Sequence, residues 1–183
     1  IEPFKVPSSW VIERAFDWGS SKPFSLGWWA ESDGTALPDG RVFYRGTRIR
    51  IAEWYGWNKK PNEGLKMLAV EIARKGLEME RALGLMVQAG PADPSIFAAE
   101  NGVCIADDMA RAGMGFRAAM AGPGSRKTGA ERVRKYMKAS IKKPMEGPGL
   151  FVFNTCSQFL RTVPVIPRDL KDPDDVDSDA EDH

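Results

Sequence analysis

Three apolar runs of strand length fall within the first 54 residues, each cut off by glycine, serine or proline, and a long stretch of helical periodicity follows directly. Trp10 to Asp17 carries Val11, Ile12, Ala15 and Phe16 and is stopped by Gly19-Ser20-Ser21. Phe24 to Ala30 is turned by Ser32-Asp33-Gly34, and Arg48 to Trp54 alternates Ile49, Ile51 and Ala52 with Arg50 and Glu53. The Pro38-Asp39-Gly40 triplet predicts a further hairpin strand over Val42 to Tyr44. Strands in hairpin succession mean an antiparallel portion of sheet, and a helical segment follows them.

Asn62 is the expected N-cap of one long amphipathic helix, with Leu65, Leu68, Val70, Ile72, Ala73, Leu77, Met79 and Leu83 near helical spacing and Gly84 as its C-terminal stop. Leu85 to Val87 is a short apolar run leading to Ala92-Asp93-Pro94-Ser95, where a buried strand would deliver an aspartate. Ile96 to Ala112 predicts one or two helices broken at Asn101-Gly102, and Met114 to Met120 a short strand. Residues 121–129 read as a flexible, basic, glycine-rich loop and Ala130 to Ala139 as a basic helix. Leu150 to Phe153 is a strand and Cys156 to Arg161 a short helix. Residues 1–9 and the acidic stretch 165–183 should be irregular. A chain of 183 residues, 43% hydrophobic, suits one packed domain over its whole length. It has neither an apolar run long enough for a membrane span nor a signal-peptide pattern at Ile1.

The single histidine is His183, the last residue, which removes Ser-His-Asp, Cys-His and two-histidine metal chemistries. Cys104 and Cys156 are far apart and outside any CxxC pattern, so both are expected reduced and buried. Catalysis by such a chain leans on carboxylates. Asp17, at the end of an apolar strand and before Trp18-Gly19, sits where a sheet rim exposes an oxygen donor to a hard cation, although an aspartate there is more often a turn residue. Asp93 repeats the arrangement, with helix capping as the plainer reading. A third carboxylate from the stretch 175–182 competes with a solvated acidic tail. Three carboxylates together suit phosphodiester hydrolysis with two divalent ions about 4 Å apart, and oxygen ligands select Mg²⁺ or Mn²⁺.

The formal net charge is +1, but the residues after Leu170 hold seven acids against one lysine. That leaves 25 bases and 18 acids, +7, on residues 1–170. A basic body suits a polyanion such as double-stranded DNA, as well as an ordinary solvated surface. Arg126, Lys127, Arg132, Arg134 and Lys135 are the candidate phosphate contacts. Ala121 to Thr128 nearly matches a phosphate-binding loop, but Arg126 stands where glycine is required before the lysine, so no nucleotide site is expected.

Four motifs then occur in one order: Phe16-Asp17-Trp18-Gly19-Ser20-Ser21-Lys22-Pro23-Phe24, Glu53-Trp54-Tyr55-Gly56-Trp57, Ala92-Asp93-Pro94-Ser95-Ile96-Phe97, and Asp175-Val176-Asp177-Ser178-Asp179-Ala180-Glu181-Asp182-His183. Spanning nearly the whole chain, they resemble the nuclease domain of tailed-phage terminase large subunits. The resemblance implies an α/β, ribonuclease-H-like fold, a central mixed sheet flanked by helices. It also implies a Mg²⁺- or Mn²⁺-dependent endonuclease that cuts double-stranded concatemeric DNA as genomes are packaged into procapsids. On that pattern Asp17 and Asp93 match the first two metal-binding aspartates. The third belongs near a His-x-x-Asp element, and the sequence here stops at His183. Asp179 or Asp182 then substitutes, with His183 beside the metal, or the sequence has been trimmed before the ligand.

The resemblance further implies an ATPase domain ahead of Ile1, a portal ring and a small terminase subunit as partners, and the cytoplasm of the bacterial host as the setting. Two rivals predict different behaviour. A non-cutting DNA-binding or motor-docking module with an incomplete metal site retains DNA without hydrolysing it, and a Holliday-junction resolvase or related nuclease prefers branched DNA.

Overall fold

Burial with a period of two makes Val11–Asp17 a strand, β1: Ile12, Arg14 and Phe16 are buried while Val11, Glu13, Ala15 and Asp17 are not. It is one of seven strands in a computed structural model that describes residues 1–99, 101–170, 172 and 175. The others are β2 (Ser25–Glu31), β3 (Arg48–Tyr55), β4 (Val87–Gln88), β5 (Pro91–Ala92), β6 (Arg117–Ala118) and β7 (Leu150–Val152). The helices are α1 (Ala69–Ala82), α2 (Ile105–Arg111), α3 (Ser125–Ile141) and α4 (Ser157–Thr162). The strands form one sheet in the order β6-β5-β1-β2-β3-β7, with β4 also paired to β1.

The sheet is mixed. Short links between sheet neighbours make β1, β2 and β3 successively antiparallel. Gly56 N–H donates to the Phe24 carbonyl (2.8 Å) where β3 ends and β2 begins, and Ser32 N–H donates to the Thr47 carbonyl (2.9 Å) at the opposite end. The remaining pairings are parallel: β4 and β5 with β1, β6 with β5, and β7 with β3. The carboxyl ends of β1, β3, β5 and β6 therefore share one edge.

Contacts among the described residues gather into two compact units, one within Ile12–Trp28 and Glu53–Met120, the other within Ile1–Val11, Trp29–Ala52 and Ala121–Asp175. In the first, α1 buries Ile72, Ala73, Gly76 and Glu80. Phe16 stacks on Phe116 (centroids 5.4 Å apart), and Phe24 packs edge-on to Trp54 (4.8 Å). In the second, an aromatic cluster forms the core: Phe4 lies 5.1 Å from Phe153 and 5.7 Å from Phe43, and Phe43 lies 5.2 Å from Phe151. Such pairs stabilise by about 0.5–1.5 kcal/mol each beyond their area. Arg50, buried, lies over the rings of Trp29 (5.4 Å) and Phe159 (4.8 Å).

Four expectations are corrected. Val42 to Tyr44 is not a strand, because Phe43 is drawn into the aromatic cluster while Val42 and Tyr44 stay exposed. The Pro38-Asp39-Gly40 turn does close, through Leu37 N–H to the Arg41 carbonyl (2.8 Å). Helix α1 begins at Ala69 instead of after Asn62, since Asn62 (φ 58°) and Lys66 (φ 54°) adopt left-handed backbone that no α-helix tolerates. Its start is fixed by the Glu71 carboxylate, which accepts from Leu68 N–H at 2.9 Å. Helix α3 begins at Ser125, within the expected loop, its first turn closed by Thr128 N–H to the Gly124 carbonyl (3.0 Å). Cys156 is buried as expected, but Cys104, ahead of α2, is half-buried. Among the described residues no helix is long and apolar enough to cross a membrane.

Candidate functional site

Parallel pairing aligns Phe16 of β1 with Ala92 of β5, and Asp93 N–H donates to the Phe16 carbonyl at 2.9 Å. Asp17 and Asp93, one residue further on in each strand, thus leave adjacent strands at the same rung, about 5 Å apart by the ordinary strand spacing. Both are half-buried. The carboxyl edge of parallel strands is where open α/β sheets hold ligands.

Each strand stops there for a local reason. Pro94 occupies the first position of a 3₁₀ turn, Pro94–Phe97, and Asp93 caps it: its Oδ1 accepts from Ser95 N–H at 2.9 Å. The capping role expected of Asp93 is therefore present, and it orients the carboxylate without using both oxygens. Gly90 brings the two strands into register. A Cβ at this position would lie 1.9 Å from the Arg14 carbonyl oxygen, so only glycine allows the chain between β4 and β5 to run this close to β1.

Behind the edge, a buried polar network locks β1 to α1. Arg14 donates from Nε (2.8 Å) and Nη2 (2.9 Å) to the two carboxylate oxygens of Glu80, and Trp28 Nε1 donates to Glu80 Oε1 (2.8 Å). Arg14 Nη1 adds a bond to the Gly115 carbonyl at 3.2 Å. A buried ion pair repays its desolvation only when satisfied in this way, and its rigidity fixes the strand that ends in Asp17. The sequence carries a signal for it: Arg14 lies at a core-facing position of a strand, and Glu80 on the helix face of Ile72 and Gly76.

Glu53 lies near the carboxyl end of β3, with β2 between it and β1. Among the described residues no group of three or more His, Cys, Asp or Glu side chains is placed to hold a metal. Asp179, Asp182 and His183 lie outside the described residues. The structure thus brings together two of the expected ligands, Asp17 and Asp93, as a pair of oxygen donors of the kind that hard cations select.

The expected phosphate contacts all lie on α3. Arg126 and Lys127, in its first turn, pair with acids further along the chain: Arg126 Nη2 is 2.7 Å from Asp175 Oδ2, and Lys127 Nζ is 2.5 Å from Asp172 Oδ2. Arg134 stands 3.8 Å from Glu131 in an exposed pair of small energetic weight. Arg132 and Lys135, with Lys138 and Lys142, line an open groove of about 890 Å³ to which Glu131 and Glu146 also contribute.

The structure adds a second basic element that the sequence pattern does not reveal. The turn after β3 holds two lysines in left-handed backbone, Lys59 (φ 73°) and Lys66 (φ 54°), together with Asn62. For a residue with a Cβ this conformation costs about 1–2 kcal/mol. The Lys59-Lys60-Pro61-Asn62 run is a turn signal, masked in sequence by the helical periodicity that begins at Leu65.

No protein-family model and no curated protein matches the chain. Solved structures do. The nuclease domain of the phage P22 large terminase superposes with a TM-score of 0.59 at 15% identity, over 97% of this chain and 78% of that one. The large terminase of a thermophilic bacteriophage gives 0.57 at 13% identity over 94% of this chain, and its complex with ADP gives 0.60 at 14% over 92%. This chain spans 36% and 35% of those two thermophilic-phage chains. At such identities the likeness is one of fold, and the fold is ribonuclease-H-like, with a central mixed sheet flanked by helices, as the sequence motifs imply.

Proposed function

We propose that this chain is a metal-dependent nuclease domain of the large-terminase type, cutting double-stranded DNA during genome packaging. The observation that carries the reading is the Asp93 N–H to Phe16 carbonyl bond, which sets Asp17 and Asp93 side by side at the carboxyl edge of the sheet. The likeness to the P22 nuclease domain and to the thermophilic-phage large terminase supports it at the level of fold.

Asp17 and Asp93 would hold Mg²⁺ or Mn²⁺, with Asp179 or Asp182 as the third carboxylate and His183 nearby. When bound, two such ions supply activation of water and neutralise charge at the departing 3′ oxygen. The chain's own contribution is placement. The Phe16–Asp93 bond and the Ser95 cap fix the direction of one carboxylate, and the Arg14–Glu80 network stiffens the strand bearing the other. Both side chains offer oxygen donors only, the ligand type that Mg²⁺ and Mn²⁺ select.

Arg126, Lys127, Arg132, Arg134 and Lys135 contact backbone phosphates in this reading. Such contacts position a duplex without reading its sequence, so cutting shows little base preference. The wider partners are an ATPase domain of the same protein, a portal ring and a small terminase subunit, in the cytoplasm of the infected host.

Cleavage of supercoiled plasmid tests the reading directly. Nicking and linearisation are expected with Mn²⁺, none with EDTA, and none with Asp17→Asn. Cutting that survives both EDTA and the substitution overturns it.

A further inference from the structure

The first unit carries a built basic turn at the same sheet edge as Asp17 and Asp93. The chain leaves β3 at Tyr55, and Asn58 to Glu63 closes on itself: Asn58 N–H donates to the Glu63 carbonyl (3.0 Å), Asn58 Nδ2 to Glu63 Oε2 (2.8 Å), and Lys60 N–H to Asn58 Oδ1 (2.9 Å). Gly64 then locks the turn onto the loop that follows Asp17. Its N–H donates to the Ser21 carbonyl at 2.7 Å, and a Cβ there would lie 2.3 Å from the carbonyl oxygens of both Ser20 and Lys22. A turn that follows one strand is thus fastened, backbone to backbone, to the loop leaving the proposed metal ligand.

This fastened turn exposes Lys59, Lys60 and Lys66. Its one acid, Glu63, is engaged by Asn58 and stands 3.9 Å from the Lys60 ammonium. Lys59 and Lys66 are held in left-handed backbone, a conformation that glycine would adopt without strain. Strain of this kind, kept at a polar surface where no core packing demands these side chains, clusters at ligand clamps and switch regions. Three ammonium groups on a rigid turn form an electrostatic complement to a polyphosphate backbone.

We propose that the Asn58–Gly64 turn, with Lys59 and Lys60 at its tip and Lys66 just beyond, is a phosphate clamp that grips double-stranded nucleic acid beside the Asp17–Asp93 edge. The proposal rests on the nuclease reading for its choice of ligand. Because the clamp acts by charge alone, it holds duplex without metal and without hydrolysis.

The test is equilibrium binding of a fluorescently labelled DNA duplex of about 30 base pairs in EDTA, across a salt series, by anisotropy. For the double variant Lys59→Ala/Lys60→Ala the slope of log K against log salt should fall in magnitude by about 1.8, or about 0.9 for each phosphate that is no longer neutralised. Lys59→Gly separates function from folding: it removes the charge and relieves the left-handed strain, so affinity should fall while the melting temperature holds or rises. A slope and affinity equal to the parent's overturn the clamp, as does a parent that binds no duplex in EDTA. Plasmid cleavage with Mn²⁺ is scored separately. Lysine-dependent binding by a parent that does not cut would leave the clamp standing and the nuclease reading refuted.

Discussion

The backbone N–H of Asp93 donates to the carbonyl oxygen of Phe16 at 2.9 Å, and this one bond puts Asp93 beside Asp17, 76 positions away in sequence. It is a rung of a parallel ladder, so the spacing of Asp17 and Asp93 is set by strand geometry and does not depend on loop conformation.

The rung depends on glycine at position 90. Gly90→Ala puts a methyl group 1.9 Å from the Arg14 carbonyl oxygen, and backbone cannot rotate away as a side chain can. A loss of roughly 1–3 kcal/mol or more is expected, with Mn²⁺ affinity reduced because β5 is pushed from β1. Urea unfolding and Mn²⁺ titration of the variant check both; unchanged values would mean that the two strands are not held as described.

Glu80→Ala should be among the most damaging substitutions away from the edge. It leaves the Arg14 guanidinium, whose side chain is 7% exposed, without its carboxylate, and Trp28 Nε1 without an acceptor. Removing one partner of a buried pair costs about 3–5 kcal/mol. Chemical denaturation gives the figure, and a cost below about 1 kcal/mol would show that the network is solvated.

Much of this is legible in the sequence, for identifiable reasons. Four strands, β1, β2, β3 and β7, and α4 follow from apolar runs bounded by breakers, and the position of Asp17 and Asp93 at strand ends follows from the same runs. Apolar content alone does not show that Phe43 leaves the hairpin for a cluster with Phe4, Trp10 and Phe151, since that choice is tertiary. Asn62 has the character of a cap because asparagine favours both caps and left-handed turns, and the structure uses the second property. The glycines before Arg126 and Lys127 favour a loop, yet the helix starts at the first residues able to support it. Asp179, Asp182 and His183 lie outside the described residues.

Acid should weaken the second unit through Asp33. The Thr35 backbone N–H, then the Ser9 hydroxyl, lower its pKa from 3.8 to about 2. A carboxylate with a depressed folded pKa stabilises fully above its unfolded value and loses that contribution as pH falls through the folded one. Asp33→Asn should therefore flatten the decline in stability between pH 3.8 and about 2. Urea melts of parent and variant across that window measure it, and parallel curves would remove Asp33 from the account.

The central claim is that Asp17 and Asp93 form one cation site, and Mn²⁺ binding followed by electron paramagnetic resonance tests it without relying on turnover. The parent should take up Mn²⁺ with a saturable, tight component, and Asp17→Asn and Asp93→Asn should each abolish that component while leaving the fold intact by circular dichroism. Binding by Asp93→Asn indistinguishable from the parent's would reduce Asp93 to the cap of its 3₁₀ turn and contradict the account.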